Sequence, residues 1–304
     1  MTSKVVVLMS TYNGEKYLNE QIDSIINQKG DFELDLLIRD DGSTDNTRNI
    51  LAKYENNESI YWYGGENLKP AKSFIDLILK VENKYDFFAF SDQDDFWMEN
   101  KIEEAIERIK DEDLPTIYFS NAELVNSKLD PLKEKLYKTE LKNDIYTTMC
   151  AANIIGCTMV FNKKMLEVIK QGGMPETVIM HDSYLSRVCM AIGGKIIYDS
   201  NAYIKYRQHQ NNVLGVKSSI ISKLHERLQD IFTKSDITID EQVREILRIY
   251  GNIIPCENKK WLEKVKDYRK NIFTRISLAC SNKTKYSSIT MGIKYRLEVL
   301  FGNR

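Results

Sequence analysis

Between residues 5 and 109 the sequence repeats one unit: a short apolar run, a polar loop, then apolar residues at helical spacing. Residues 5–9 are continuously apolar and rich in β-branched side chains, which predicts a strand buried on both faces. Leu18, Ile22, Ile25 and Ile26 behind it recur at the spacing of one helix face. Residues 34–38 predict a second strand, and Ser43, with Asp45 close behind, predicts the N-cap of a helix reaching Tyr54. A strand at 60–63, a helix through Phe74, Leu77, Ile78 and Val81, a strand at 87–90 and a helix through Ile102, Ala105, Ile106 and Ile109 complete the series. Such alternation predicts an α/β fold, a mostly parallel sheet with helices on both faces. Ligands of these sheets bind beyond the carboxyl ends of the strands, where loops converge.

Those loops carry the polar chemistry. Ser10-Thr11-Tyr12-Asn13-Gly14 follows the first strand, Asp40-Asp41-Gly42-Ser43 the second, and Ser91-Asp92-Gln93-Asp94-Asp95 the aromatic one. Asp92, Asp94 and Asp95 repel one another unless a cation or hydrogen-bond donors neutralise them. Hard carboxylate oxygens, with positions left for water and phosphate, suit Mg²⁺ or Mn²⁺. A solvated acidic turn is the plainer reading of that loop alone, as an Asp-Gly turn with a Ser cap is of residues 40–43. Two acidic loops on one rim point instead to a nucleotide diphosphate. Neither Gly-x-x-x-x-Gly-Lys-Ser/Thr nor Gly-x-Gly-x-x-Gly occurs, so ATPase and dinucleotide readings lose support.

Composition removes other classes. The 304 residues hold 43 Lys and Arg against 44 Asp and Glu, a net charge of -1 with no general attraction to nucleic acid. No apolar stretch approaches the roughly 18 residues of a membrane span, and the apolar run at 5–9 is too short for a signal-peptide core. Five cysteines without a Cys-x-x-Cys pair argue against a disulfide framework or zinc ribbon and fit a reducing cytoplasm. With His181, His209 and His225 the only histidines and no His-Glu-x-x-His, a hydrolytic zinc site is not expected.

From about residue 115 the pattern loosens, with strands expected at 116–120, 158–162, 195–198 and 203–206 and a helix beginning near His181. The expected division is 1–114 for the nucleotide diphosphate, 115–215 for the other side of the same domain, and a helical region over 216–304. Between Cys256 and Arg304 twelve bases face four acids, a charge pattern suited to peripheral contact with an anionic inner leaflet or to a solvated helical face.

Together the three strand-end motifs resemble the family 2 glycosyltransferases of GT-A fold, over roughly residues 4 to 215. Asp92-Gln93-Asp94-Asp95 followed by an aromatic and Trp97, then His181-Asp182 and Tyr206-Arg207-Gln208-His209-Gln210-Asn211-Asn212, is similar to the bacterial rhamnosyltransferase-like branch. The resemblance implies donor contacts from Thr11, Tyr12, Asn13, Asp41, Asp92, Gln93 and Arg207, with Asn67, Lys72 and Ser73 in a donor-site loop. It implies Asp94 as the metal-binding acid, His209 as a further metal or diphosphate contact and Asp182 as the catalytic acidic residue, the base. Asp182 also suits a helix N-terminus on dipole grounds alone. Trp97 and His181 are candidates for a wall against sugar or acceptor, although an aromatic after a strand-end loop is commonly core. Lys101 reads as an exposed lysine.

The implied reaction is inverting transfer from dTDP-rhamnose or a UDP-sugar to a hydroxyl of a saccharide, lipid-linked, in bacterial cell-surface polysaccharide synthesis. The Gln-x-x-Arg-Trp signature of processive members is absent, so transfer of one or a few sugars is expected. Two other classes remain open. A sugar nucleotidylyltransferase would make pyrophosphate from a nucleoside triphosphate and a sugar phosphate, but the chain lacks its Gly-rich N-terminal loop with Arg. A carbohydrate-binding protein with an inactive transferase fold would not need the acids and His209.

Overall fold

The computed structural model describes residues 2–152, 154–208, 237–284, 286 and 289–304. Strands β1 (Ser3–Thr11), β2 (Phe32–Asp40), β3 (Ile60–Gly64) and β4 (Phe87–Ser91) alternate with helices α1 (Leu18–Ile26), α2 (Thr47–Ala52), α3 (Lys69–Lys80) and α4 (Lys101–Ile109). β5 (Phe96–Trp97) lies between β4 and α4. Then come β6 (Thr116–Val125), β7 (Pro131–Lys135), α5 (Ile145–Cys150), β8 (Met159–Asn162), α6 (Lys163–Gly172), α7 (His181–Ala191) and β9 (Lys195–Arg207). Beyond residue 236 come α8 (Ile239–Tyr250), α9 (Cys256–Lys266), α10 (Ile272–Ala279) and α11 (Ile289–Phe301).

The sheet runs β3-β2-β1-β4-β8-β6-β9-β5, with β7 on β6. β1 to β4 pair in parallel, as does β6 with β9, while β8, β5 and β7 pair antiparallel. Side chains alternate across a strand, and β1 divides its own between two cores. Val6 and Leu8 meet Phe74, Leu77 and Ile78 of α3, together with α6 and α7. Val5, Val7 and Met9 meet Leu18 and Ile22 of α1, Ile50 of α2 and Ile102 of α4. Each fully buried valine or leucine contributes about 1.5–3 kcal/mol. This two-sided burial is why residues 5–9 carry no polar alternation.

Several expected boundaries move. Ser43 does not cap α2. Its hydroxyl accepts the Asn13 amide at 2.9 Å, and the helix starts later, after Asn46. Lys72 and Ser73, expected in a loop, lie in α3, which begins at Lys69 with Pro70 in its first turn; Ser73 is buried in its second turn. The strands expected at 195–198 and 203–206 form one strand, β9, whose register on β6 shifts between Ser120 and Glu123. The boundary at 215/216 lies outside the described residues. Beyond it, Val243 and Ile246 of α8, Leu262 and Val265 of α9 and Val299 of α11 share one core with the sheet. Among the described residues no helix is long and apolar enough to cross a membrane.

Candidate active site

The loops after β1, β2 and β4 are bound to one another before they bind anything else. Gln93 places Oε1 against the Thr11 hydroxyl (2.6 Å) and the Tyr12 amide (2.9 Å), while its Nε2 donates to the Tyr12 carbonyl (3.1 Å). Asn13, held at a φ of 49°, accepts the Thr44 amide at 2.8 Å. Gly14 donates to the Thr47 hydroxyl at 2.8 Å. Thr11, Asn13 and Gln93, expected to contact a donor, therefore join loops with their polar groups.

Asp40 and Asp41 divide the second loop between them. Asp40 is fully buried and pairs with Arg48 at 2.6 Å. Asp41 Oδ1 accepts from the Arg39 guanidinium and from the Leu68 amide (2.9 Å). Arg39, buried in β2, also reaches Asp76 (2.9 Å), the Ser73 hydroxyl (3.1 Å) and the Glu66 carbonyl (2.9 Å). Nothing in the sequence marked it, because its partners other than Asp41 lie on α3 and in the loop before α3.

A cavity of about 460 Å³ opens over this rim. Asp41, Asn67, Asp92, Gln93, Asp94 and Tyr12 line one part; Gly156, His181 and Asp182 line another; Phe74, Ile155, Met180 and Tyr206 supply apolar wall. The structure thus brings Asp41, Asp92, Asp94 and Asp182 onto one space. Lys69 and Pro70 line it as well.

Burial, then the charges of Asp94 and Asp182, push the Asp92 carboxyl up to about 7. Burial likewise pushes Asp182 up to about 6, partly opposed by backbone N–H bonds from Ser183 (2.6 Å) and Gly156 (3.0 Å). With Asp41 paired to Arg39, three further lining carboxylates face one lysine, which leaves the cavity short of positive charge, so Asp92 and Asp94 fit a hard divalent cation. Asp92, Asp95 and Cys157 offer ligand atoms within 4.8 Å of one another, but Asp95 is fully buried and accepts the Arg207 amide at 3.0 Å. Burial and the Asp95 and Asp92 charges hold the Cys157 thiol well above its ordinary range, which favours its protonated form. His209 lies outside the described residues.

His181 opens α7 and is buried, stacked on Phe74 (3.9 Å between centroids) and edge-on to Phe90 (4.9 Å). Burial pushes it down to about 3, so it is neutral and part of the cavity wall. A Cβ on Gly156 would lie 2.3 Å from its Nε2, so glycine is required there.

Four expectations are corrected. Trp97 does not reach the cavity: it is fully buried, its amide donates to Ser24 (3.1 Å) and the Lys101 ammonium lies 3.7 Å above its ring. Tyr206 supplies aromatic wall instead. Lys101 is buried, and burial pushes its ammonium down to about 7. Lys72 is not on the cavity; Lys69, one turn earlier, is. The Arg207 guanidinium is buried beneath the site, bonded to the Asp94 carbonyl (2.7 Å), the Ser127 carbonyl (2.6 Å) and Glu20, with Tyr17 under it at 4.3 Å. It braces the acidic loop from behind.

Residues 6–169, more than half of the chain, match the family described as Glycosyl transferase family 2. The dTDP-rhamnosyl transferase RfbG of Shigella flexneri is 31% identical over 234 residues, 71% of this chain and 76% of that protein. The putative teichuronic acid biosynthesis glycosyltransferase TuaG of Bacillus subtilis is 29% identical over 51% of this chain and 60% of its own length. Among solved structures, Staphylococcus aureus TarS 1-349 in complex with UDP-GlcNAc aligns with a TM-score of 0.54 at 15% identity, over 98% of this chain and 89% of that one. The mannosyltransferase PcManGT of Pyrobaculum calidifontis, in complex with GDP-Man and Mn²⁺, gives 0.54 at 14% identity, over 98% and 86%. The fold is accordingly GT-A, and the chain belongs to glycosyltransferase family 2.

Proposed function

We propose that this glycosyltransferase moves a sugar from a nucleoside-diphosphate donor, dTDP-rhamnose or a UDP-sugar, to a hydroxyl of a lipid-linked saccharide at the cytoplasmic face of a bacterial membrane. The observation that carries the reading is the joint exposure of Asp41, Asp92, Asp94 and Asp182 to one cavity. The name of the Shigella relative supports the deoxysugar donor. Asp41 accepts hydrogen bonds from base or ribose, held in register by Arg39 and the Leu68 amide. Tyr206, Phe74 and Met180 exclude water from the sugar.

Asp182 takes the proton of the acceptor hydroxyl while that oxygen bonds to the anomeric carbon. The bond from that carbon to the diphosphate breaks, its electron pair leaves with the diphosphate, and the configuration inverts. Asp94 and Asp92 would hold Mn²⁺ or Mg²⁺, which when bound supplies positive charge against the departing diphosphate. Ser183 and Gly156 amides orient the Asp182 carboxylate.

Calorimetry of nucleoside diphosphate binding with and without Mn²⁺ tests the acid loop. Metal should tighten binding at least tenfold in the native protein and not in Asp94→Ala, in line with the loss of a metal-ligand contact. Undiminished coupling in that variant would remove Asp94 from the role. Pyrophosphate release from a nucleoside triphosphate and sugar phosphate, with nucleotide sugars untouched, would overturn the transfer reading itself.

A further inference from the structure

Single exposed apolar residues are ordinary on any protein, but α10 and α11 expose them in stripes. Leu278 and Ala279 of α10 pack inward, and Ile272, Phe273 and Ile276 face outward, with Phe273 79% exposed. On α11, Gly292, Tyr295 and Val299 are buried, whereas Ile289 (82% exposed) and Ile293 share the outer face with Arg296 at helical spacing. Arg275 donates to the Leu300 and Phe301 carbonyls, which ties the first half of α10 to the end of α11. Exposed Phe301 is brought to that junction.

Along the sequence, residues 256–304 hold twelve bases and four acids, in a chain whose net charge is -1. Arg296 is exposed beside the apolar residues, and Lys270, exposed next to Ile272, is paired with Asp267 at 2.8 Å. A water-soluble partner of opposite charge would need no protruding phenylalanine and isoleucine. An apolar partner would gain nothing from the bases. Both are used together at the boundary of an anionic bilayer, where apolar side chains enter the acyl region and cations meet headgroups.

We propose that the outer face of α10 and α11 docks this protein on an anionic lipid surface. The docking needs nothing of the donor chemistry, so it stands or fails apart from the transfer reading.

The full-length protein is sedimented with vesicles of phosphatidylcholine alone and with vesicles containing phosphatidylglycerol. Binding is expected to the anionic vesicles, falling by about tenfold or more as salt shortens the Debye length from about 10 Å to about 3 Å. Phe273→Glu with Ile276→Glu, and separately Lys270→Glu with Arg296→Glu, should each weaken partition by about tenfold or more, since each removes two anchoring groups. Donor hydrolysis and melting temperature serve as controls and should match the native protein. Absence of binding, binding indifferent to lipid charge, or binding unchanged in both variants overturns the proposal. So does a concentration-dependent dimer, seen by light scattering, that Phe273→Glu with Ile276→Glu abolishes while vesicle binding is absent.

Discussion

Replacing Asp182 by Asn exchanges one carboxylate oxygen for an amide and separates catalysis from folding. With the carboxyl pushed up to about 6, against an ordinary 3.8, the folded protein binds this proton more tightly than the unfolded chain. The contribution is therefore favourable below pH 3.8 and is lost as pH rises through about 6. At pH 7 the ionised group costs up to about 3 kcal/mol, and about 1–2 kcal/mol once discounted for its exposure on the cavity. Asparagine removes that cost. It also cannot accept from both the Ser183 and Gly156 amides, and orphaning one of them costs about 1–3 kcal/mol. The two nearly cancel, so the melting temperature should move by no more than about 4 °C. Transfer should fall by about 10²–10⁴, the usual contribution of a positioned base. In the native enzyme, kcat/KM should decline below about pH 6, where Asp182 becomes protonated. Steady-state transfer over pH 4.5–8, calorimetric donor binding and differential scanning calorimetry on both proteins provide the readouts. An Asn variant that transfers sugar at native rate refutes the assignment, as does one whose loss of activity is matched by unfolding.

Arg207→Ala removes the bonds to the Asp94 and Ser127 carbonyls and to Glu20, and should destabilise by about 2–4 kcal/mol, lowering the melting temperature by about 4–8 °C. A pure donor-contact role would instead weaken nucleotide binding at unchanged melting temperature, and calorimetry distinguishes the two. Gly156→Ala sets a Cβ against a His181 ring that is fixed between Phe74 and Phe90. Overpacking of this kind costs about 1–3 kcal/mol, and because the Gly156 amide orients Asp182, kcat should fall as well. Native values of both in that variant would contradict the wall described here.

β1 and β4 were legible because parallel strands covered by helices on both faces are continuously apolar, and the site rim followed because the carboxyl ends of the parallel strands converge. β5 is two residues long and β7 has all five residues exposed, so neither carries a period to read. In β9, Asp199-Ser200-Asn201 resembles a turn between two strands, yet register on β6 resumes beyond it. The buried cations escaped for another reason. Lys101 is buried against Trp97, and Arg207 bonds to Glu20, 187 residues away. Local composition marks a lysine or arginine as exposed unless its distant partner is known.

The same limit explains why residue type and spacing located the acidic pairs without dividing them, a division that only the family resemblance supplied. Successive side chains at a strand end point to opposite sides. At the end of β2, Asp40 turns into the protein to meet Arg48 while Asp41 turns to the cavity. Ahead of β5, Asp94 lines the cavity while Asp95 is sealed below it on the Arg207 amide. One member of each pair braces the loop and the other is offered to a ligand. Asp95, whose carboxyl burial and the Asp94 and Asp92 charges hold well above the ordinary range, is therefore part of the scaffold that presents Asp94, together with the Arg207 guanidinium on the Asp94 carbonyl. Loss of either brace should displace the acidic loop without removing a ligand, so the two acids of the pair cannot stand in for one another.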